Sequence, residues 1–572
     1  MKRFYLQLSF NLIKSSMNWK YFFISILGLF FSLRLWAQEV LPMDGNTLNY
    51  RQILFEVPRV QNANSYLFYI QKCNERAESC KSIYTHKTKY RYALLTEPFE
   101  FGNTYKWFYE AKSGSKTIYT SKEFVLYLGS SELLDTNVQK LVYTKPNKKR
   151  DKGIMLVDGL KLAIDMQGKP VMYLNYKIDH AIRDINLTPQ GTLTLVDNRL
   201  GEVKEMLLNG EMVWIGPTKH GDTEGRADKF HHEFEKLSSG NYLAAGKKAV
   251  ADFDVSADLV GVPDNLICET MVEFDSERNE VWRFDLLPEL KRQLNISPTA
   301  EVFNPSRLGH LNGMAVDESK QIIYASFKTF NTVMKIDKAS KNIIYRYGLK
   351  KINFMDSLEN GLAFEQQHAP VFNKAGNLLI LNNGNPTTGS GITELLVANE
   401  LNIENEVKKS IYFKNYLDKD YYAAQMGSVK ETGKNKYLVC MGSLPHFFEI
   451  NTRRKKVLWQ AYTYQNTRWN EKAYQWKPLH SYRIHKYSSL YPFKSLVDLV
   501  QTKKGKYIEI INAGTETDTF LVSELAGTEE QSILLKKYSI KPGKAARFFI
   551  KSESNRTAFK IKSSSGYQII NP

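Results

Sequence analysis

The chain is poor in cysteine, with four in 572 residues. Cys73 and Cys80 bound the segment CNERAESC and are placed to close a small loop in an oxidising compartment. Cys268 and Cys440 sit inside apolar, strand-like runs and read as buried thiols. No cysteine or histidine spacing matches a zinc site. Histidine is also scarce, ten in all. Past the N-terminus, no apolar run is long enough to cross a membrane. Nucleic-acid motifs are missing too, although the formal net charge is +18. Lys and Arg are scattered, apart from short runs such as KPNKKRDK (145–152), so the charge reads chiefly as a solvated basic surface. An anionic surface or small molecule remains a compatible partner.

One long apolar run is present, from Tyr21 to Leu33, preceded by Lys20 and followed by Leu35-Trp36-Ala37-Gln38. It is short for a span and closed by Arg34, the pattern of a secretory signal peptide cut after Ala37. Met17 is the more conventional start. No cysteine lies near the cut, which argues against a lipoprotein. The expectation is a signal peptide over 1–37 and a periplasmic or secreted protein without a stable membrane span.

Aromatics make up 13% of the chain, 33 of them Tyr, set in short alternating runs that favour strands. Residues 38–132 carry such runs at Ile53, Tyr66 and Tyr105. The strands around Asn64-Ser65-Tyr66 and Gly102 to Trp107 resemble a fibronectin type III sandwich. The region 140–492 repeats itself. Six times an apolar strand ends in Asp or Asn, crosses a polar turn and resumes with an aromatic. The turn residues are Asp165, Asn209, Asp275, Asp337, Asn399 and Asn451. About four strands per repeat is the pattern of a propeller blade. The expected fold is therefore all-β: a six-bladed β-propeller over 140–492, behind the sandwich and ahead of a small C-terminal β-domain at 493–572.

In FEQQHAPVFNKAGNLLILNNG, His368 lies eight residues before the turn glycine Gly376. The same count from Gly240 reaches His232, from Gly433 Gln425, and from Gly191 Arg183. In GHLNGMAVDESKQIIYAS the turn lacks glycine, and His310 lies eight residues before Glu318. Equivalent positions at the start of inner propeller strands face the central channel, so three histidines from adjacent repeats should converge there. Arg183 and Gln425 read as channel-wall residues. His86, His180, His220, His446, His480 and His485 lie outside the register and read as surface or structural. His231 should point away from His232 if the strand alternates regularly.

FHHEFEKLSSGNYLAAG, GHLNGMAVDESKQIIYASFKTFNTVMKID, QHAPVFNKAGNLLILNNG and YRIHKYSSLYP resemble the bacterial arylsulfate sulfotransferases. The resemblance covers the propeller and loosely the N-terminal domain; the C-terminal domain lies outside it. It implies a periplasmic propeller enzyme that moves a sulfuryl group from a phenolic sulfate ester to a phenol, with no nucleotide donor, cofactor or metal. It implies His368 as the nucleophile that becomes a sulfohistidine, with His232, His310 and Asn312 binding sulfate. The family's sulfate-clamping arginine is replaced by Lys328, which keeps the charge but loses the planar two-pronged donor.

The chemistry is consistent from below. Neutral imidazole is a competent nucleophile near neutral pH and splits the transfer into two steps. A sulfate ester needs donors around its oxygens, and a departing phenolate needs a proton or a nearby donor. Two other readings stand beside this one. A non-catalytic propeller would bind an anionic glycan or peptide in a channel marked by Lys328. A metal-dependent hydrolase or lyase would use the three histidines as ligands, although no carboxylate shares their register.

Overall fold

The computed structural model describes residues 40–146, 153–217, 228–250, 266–286, 288–289, 307–348, 364–387, 391–398, 407–470, 473–502, 505–525, 532–550 and 558–571. The expected signal peptide, His220, the turn residue Asn399 and most of the basic run at 145–152 lie outside them. The described chain is all-β, with short 3₁₀ turns such as Glu132–Leu134, Lys328–Phe330 and Phe413–Asn415.

Between residues 139 and 487 the strands form six sheets. In five of them the inner strand opens a run of consecutive strands: Ile182–Leu187, Lys229–Lys236, Leu311–Asp317, His368–Phe372 and Ser428–Gly433. The last of these sheets also takes Gln139–Lys145, which pairs antiparallel with Lys456–Asn470. The remaining sheet likewise joins the two ends of the region. Ile484–Tyr487 pairs antiparallel with Ile154–Val157, so the last strand becomes the innermost strand of the first sheet. The inner strands neighbour one another in cyclic order, each sheet touching the next and the sixth touching the first.

The apolar core is divided in the same way. Leu378 and Ile380 pack with Tyr324 and Val333 of the preceding sheet, whereas Leu379 and Leu381 pack with Val439 and Phe448 of the following one. A strand buried on both faces needs apolar residues at consecutive positions, which is why Leu378–Asn382 reads LLILN instead of alternating. Equivalent clusters fill the other sheet-to-sheet contacts, including one around Trp459, Cys440 and Met155 that joins the sixth sheet to the first.

The repeated Asp and Asn residues make the outer hairpin turns. Asp165 Oδ1 accepts from Gln167 N and Lys169 N, Asp275 Oδ1 from Glu277 N and Asn279 N, and Asn451 Oδ1 from Arg454 N. Asn209 and Asp337 do the same for Glu211 and Ser340. Those at Asp165, Asn209 and Asp275 are Asx turns, and in all five the short side chain replaces a backbone acceptor.

The N-terminal unit packs a six-stranded and a two-stranded sheet around Phe55, Phe68, Phe99, Tyr105 and Trp107. Cys73 and Cys80 are disulfide-bonded, and Cys268 and Cys440 are buried free thiols. The C-terminal strands form a three-stranded and a four-stranded sheet. They dock on the N-terminal unit through buried Arg91, whose Nε donates to Asp498 Oδ1 at 3.0 Å. That unit in turn grips the first sheet: Arg51 Nη2 donates to Asp165 Oδ2 at 3.0 Å, and Leu490 N donates to Gln52 Oε1 at 2.6 Å.

Candidate active site

Four of the inner strands are interrupted near their first residues. Register slips occur between Arg183 and Asn186, Phe230 and Phe234, Leu311 and Gly313, and His368 and Val371. Asp184, His232, His310, Ala369 and Met426 take the left-handed backbone conformation there, with φ of 51°, 63°, 53°, 46° and 63°. Such conformations cost a non-glycine residue roughly 1–2 kcal/mol and cluster where a side chain must be aimed. The bulges bring the three register histidines together. The His232 ring centroid lies 5.3 Å from that of His310 and 6.5 Å from that of His368. Gly313 permits the approach, because a Cβ there would meet the Ala369 backbone nitrogen at 2.9 Å.

His368 is buried and its Nδ1 lies 2.8 Å from the carbonyl oxygen of Gly427. A carbonyl only accepts, so Nδ1 carries the proton and donates, and the neutral ring keeps its lone pair on Nε2. Burial is the main force holding the His368 pKa well below the usual 6.5; the positive charge of Arg483 adds to it, the Gly427 carbonyl opposes it, and His310 and Lys328 contribute less. The residue is thus held neutral and in a fixed orientation.

Tyr482 stands among the histidines, its ring 4.9 Å from His368 and 5.5 Å from His232, both edge-on. Its hydroxyl donates to the Asn312 carbonyl at 3.0 Å. Arg183 reaches the same ring, with Cζ 5.2 Å from its centroid. Asn312 is buried and donates from Nδ2 to the Gln367 carbonyl at 2.7 Å, fixing the residue just before His368. Lys328 is half-buried and its N–H donates to the His310 carbonyl at 3.0 Å. Gln425 is exposed, and its backbone carbonyl accepts from Ser443 N at 3.0 Å.

Next to the imidazoles lies an ionic group that the glycine count does not find. Arg483 binds both Glu233 oxygens, Nη2 to Oε2 at 2.7 Å, and places Nη1 3.2 Å from Asp184 Oδ1. His485 Nε2 is 3.1 Å from the same Asp184 oxygen. Burial works to lower the Arg483 pKa, yet Asp184 and Glu233 raise it well above its ordinary value. Asp158 accepts the backbone N–H groups of Tyr482 at 2.9 Å and Arg483 at 2.8 Å, anchoring the last inner strand. Beyond this group is a cavity of about 390 Å³, lined among others by Glu235, Phe372, Lys430 and Tyr487 but by none of the three register histidines.

One sequence expectation changes here. His231 does not point away from His232: its Nδ1 lies 2.5 Å from His232 Nδ1, because the left-handed turn at His232 breaks strand alternation. His485, expected to be surface or structural, is paired with Asp184 and borders the cavity. Tyr482 and Arg483 lay within YRIHKYSSLYP, but that strand has no turn glycine from which to count. Among the described residues, no three His, Cys, Asp or Glu side chains form a group able to hold a metal ion.

An all-β chain with three imidazoles gathered on its inner strands is the class that fold and site define. The chain belongs to the arylsulfotransferase (ASST) family, whose model matches residues 139–477. Membership brings arylsulfotransferase activity in general and small-molecule substrates. No curated protein matches the chain significantly. Similar solved structures include a protein of unknown function from Bacteroides thetaiotaomicron, 9% identical, covering 82% of this chain and 94% of that one at a TM-score of 0.30. A virginiamycin B lyase from Staphylococcus aureus with quinupristin is 8% identical, covering 65% and 96% at 0.30. No helix among the described residues is long and apolar enough to cross a membrane.

Proposed function

We propose that this chain is a six-bladed propeller sulfotransferase that carries a sulfuryl group from a phenolic sulfate ester to a phenol through a sulfohistidine at His368. The observation that carries the reading is the hydrogen bond from His368 Nδ1 to Gly427, which leaves Nε2 as the lone-pair nitrogen. In the first half-reaction that lone pair attacks sulfur. An N–S bond forms, the aryl S–O bond breaks, and the aryl oxygen leaves with the electron pair and takes up a proton. In the second, the acceptor phenol loses its proton and attacks the same sulfur, and the N–S electron pair returns to Nε2. Neutral donors and nearby cations suffice for a loose transition state of this kind, as in phosphoryl transfer. His232 and His310 with Lys328 supply them, and Asn312 positions the nucleophile.

The cyclic order of the six sheets supports the six-bladed reading of 140–492. The paired sheets ahead of it fit a fibronectin type III-like sandwich over 38–132, and the strands from 493 a small β-domain. The Cys73–Cys80 disulfide suits the periplasmic or secreted location proposed from the N-terminal signal sequence. The test is incubation of purified protein with 4-nitrophenyl sulfate and a phenol. Wild type should release 4-nitrophenol, label His368 with sulfate and obey ping-pong kinetics. Tight binding without turnover, or turnover unchanged by His368→Ala, overturns the proposal.

A further inference from the structure

We propose that Glu269, His231 and His232 form a proton relay that makes one imidazole the acid of the first half-reaction and the base of the second. The inference rests on His368 as sulfuryl acceptor. All three relay residues are buried, Glu269 being 1% exposed and His231 3%. His231 Nε2 lies 3.0 Å from Glu269 Oε2, and its Nδ1 lies 2.5 Å from His232 Nδ1. The two rings stand perpendicular, 4.6 Å apart. The chain of contacts therefore runs from a buried carboxylate, through one imidazole, to a second imidazole that faces His310 and His368.

Two nitrogens at that distance share one proton, and it has two resting places. In the first, His231 is an imidazolium beside the Glu269 carboxylate. Its Nδ1–H donates to His232, whose own proton sits on Nε2. When the aryl oxygen departs, His232 gives it the Nε2 proton and takes the Nδ1 proton from His231. His231 is left neutral, its remaining proton on Nε2, the nitrogen 3.0 Å from Glu269 Oε2. This is the second resting place: His232 now has a lone pair on Nε2 and accepts the proton of the incoming phenol, while its Nδ1 proton returns to His231. The proton released to one phenol is recovered from the next, and no outside acid or base is consumed. The carboxylate makes this feasible, because an imidazolium so deeply buried requires a paired anion. His232 is the catalytic residue of the relay; His231 and Glu269 are positioning residues that set its proton.

The test compares two donors whose leaving phenols differ in acidity. 4-Nitrophenolate leaves without help, whereas unsubstituted phenolate needs the proton. His231→Gln should slow the first half-reaction with phenyl sulfate by ~10²-fold more than with 4-nitrophenyl sulfate, the order expected for general acid catalysis. Glu269→Gln should move the same ratio in the same direction. Wild type should show a solvent deuterium isotope effect with phenyl sulfate that is reduced with 4-nitrophenyl sulfate. An equal loss with both donors, in whichever variant folds by circular dichroism, overturns the relay; so does the absence of that isotope effect in wild type. Failure of the underlying reading has a different signature, transfer that survives in His368→Ala with either donor.

Discussion

The imidazole layer and the ionic layer are built from neighbouring residues of the same strands. His232 is followed by Glu233, Tyr482 by Arg483, and Arg183 by Asp184. The first layer holds rings, His368 among them kept neutral and with one nitrogen tied to a carbonyl. The second holds full charges that satisfy one another, Arg483 against Glu233 and Asp184. Charges already paired in a buried place serve a ligand poorly, since binding would undo the pairing. They serve well as a frame, and Arg483 also helps keep His368 unprotonated. The difference teaches that the Arg483 group, its charges already matched, supplies rigidity and field, and leaves the rings beside it free of that pairing.

The largest effect should come from removing the His368 imidazole. His368→Ala should lower transfer from 4-nitrophenyl sulfate by on the order of 10³-fold or more, with the thermal midpoint little changed. Arg483→Met strikes the other layer. It strands Glu233 and Asp184 as buried charges and should cost about 3–5 kcal/mol in urea unfolding. A stable but inactive Arg483→Met protein would break the comparison, because the ionic layer would then act in the chemistry itself.

Acid titration sharpens it further. The His368 pKa is held well below 6.5, so the ring should remain neutral as the pH falls through that value. The rate of His368 sulfation in a rapid-quench assay should therefore not drop between pH 7 and 6, values chosen about the ordinary histidine pKa. Stability responds in the opposite sense. His446, buried against Tyr462 at a 4.3 Å ring separation, is lowered to about 4, chiefly by burial. The unfolded chain binds the proton first, so stability is full above pH 6.5 and declines as the pH falls toward about 4. The loss reaches about 3 kcal/mol for this residue, and His446→Phe should flatten that part of the pH–stability curve. The smallest effect belongs to Lys328. Lys328→Ala should raise KM for the aryl sulfate about tenfold, and Lys328→Arg should change it less, as measured by initial rates.

Much of the frame was legible in the residues. Runs such as LLILN announced buried strands, the Asp and Asn turns marked the outer hairpins, and the count back from each turn, a glycine in two repeats and Glu318 in the third, found three histidines that meet. What stayed hidden depended on backbone turns and long-range pairing. The orientation of His231 follows from the positive φ at His232, which no alternation rule supplies. Glu233 and Arg483 are 250 positions apart, and nothing local to either requires the other. The C-terminal strands gave no sign that Asp498 would receive Arg91 of the first unit.

The pairing of Ile484–Tyr487 with Ile154–Val157 governs the order in which the protein becomes competent. Tyr482 and Arg483 reach the histidines only when the two ends of a segment of more than three hundred residues have met. A closure so distant in sequence is a slow folding event. A nascent or truncated chain that stops short of residue 482 holds all three register histidines yet lacks the side chains that orient and electrically tune them. A chain cut before residue 482 should therefore transfer no sulfuryl group, while one that keeps residues up to 487 regains the pairing.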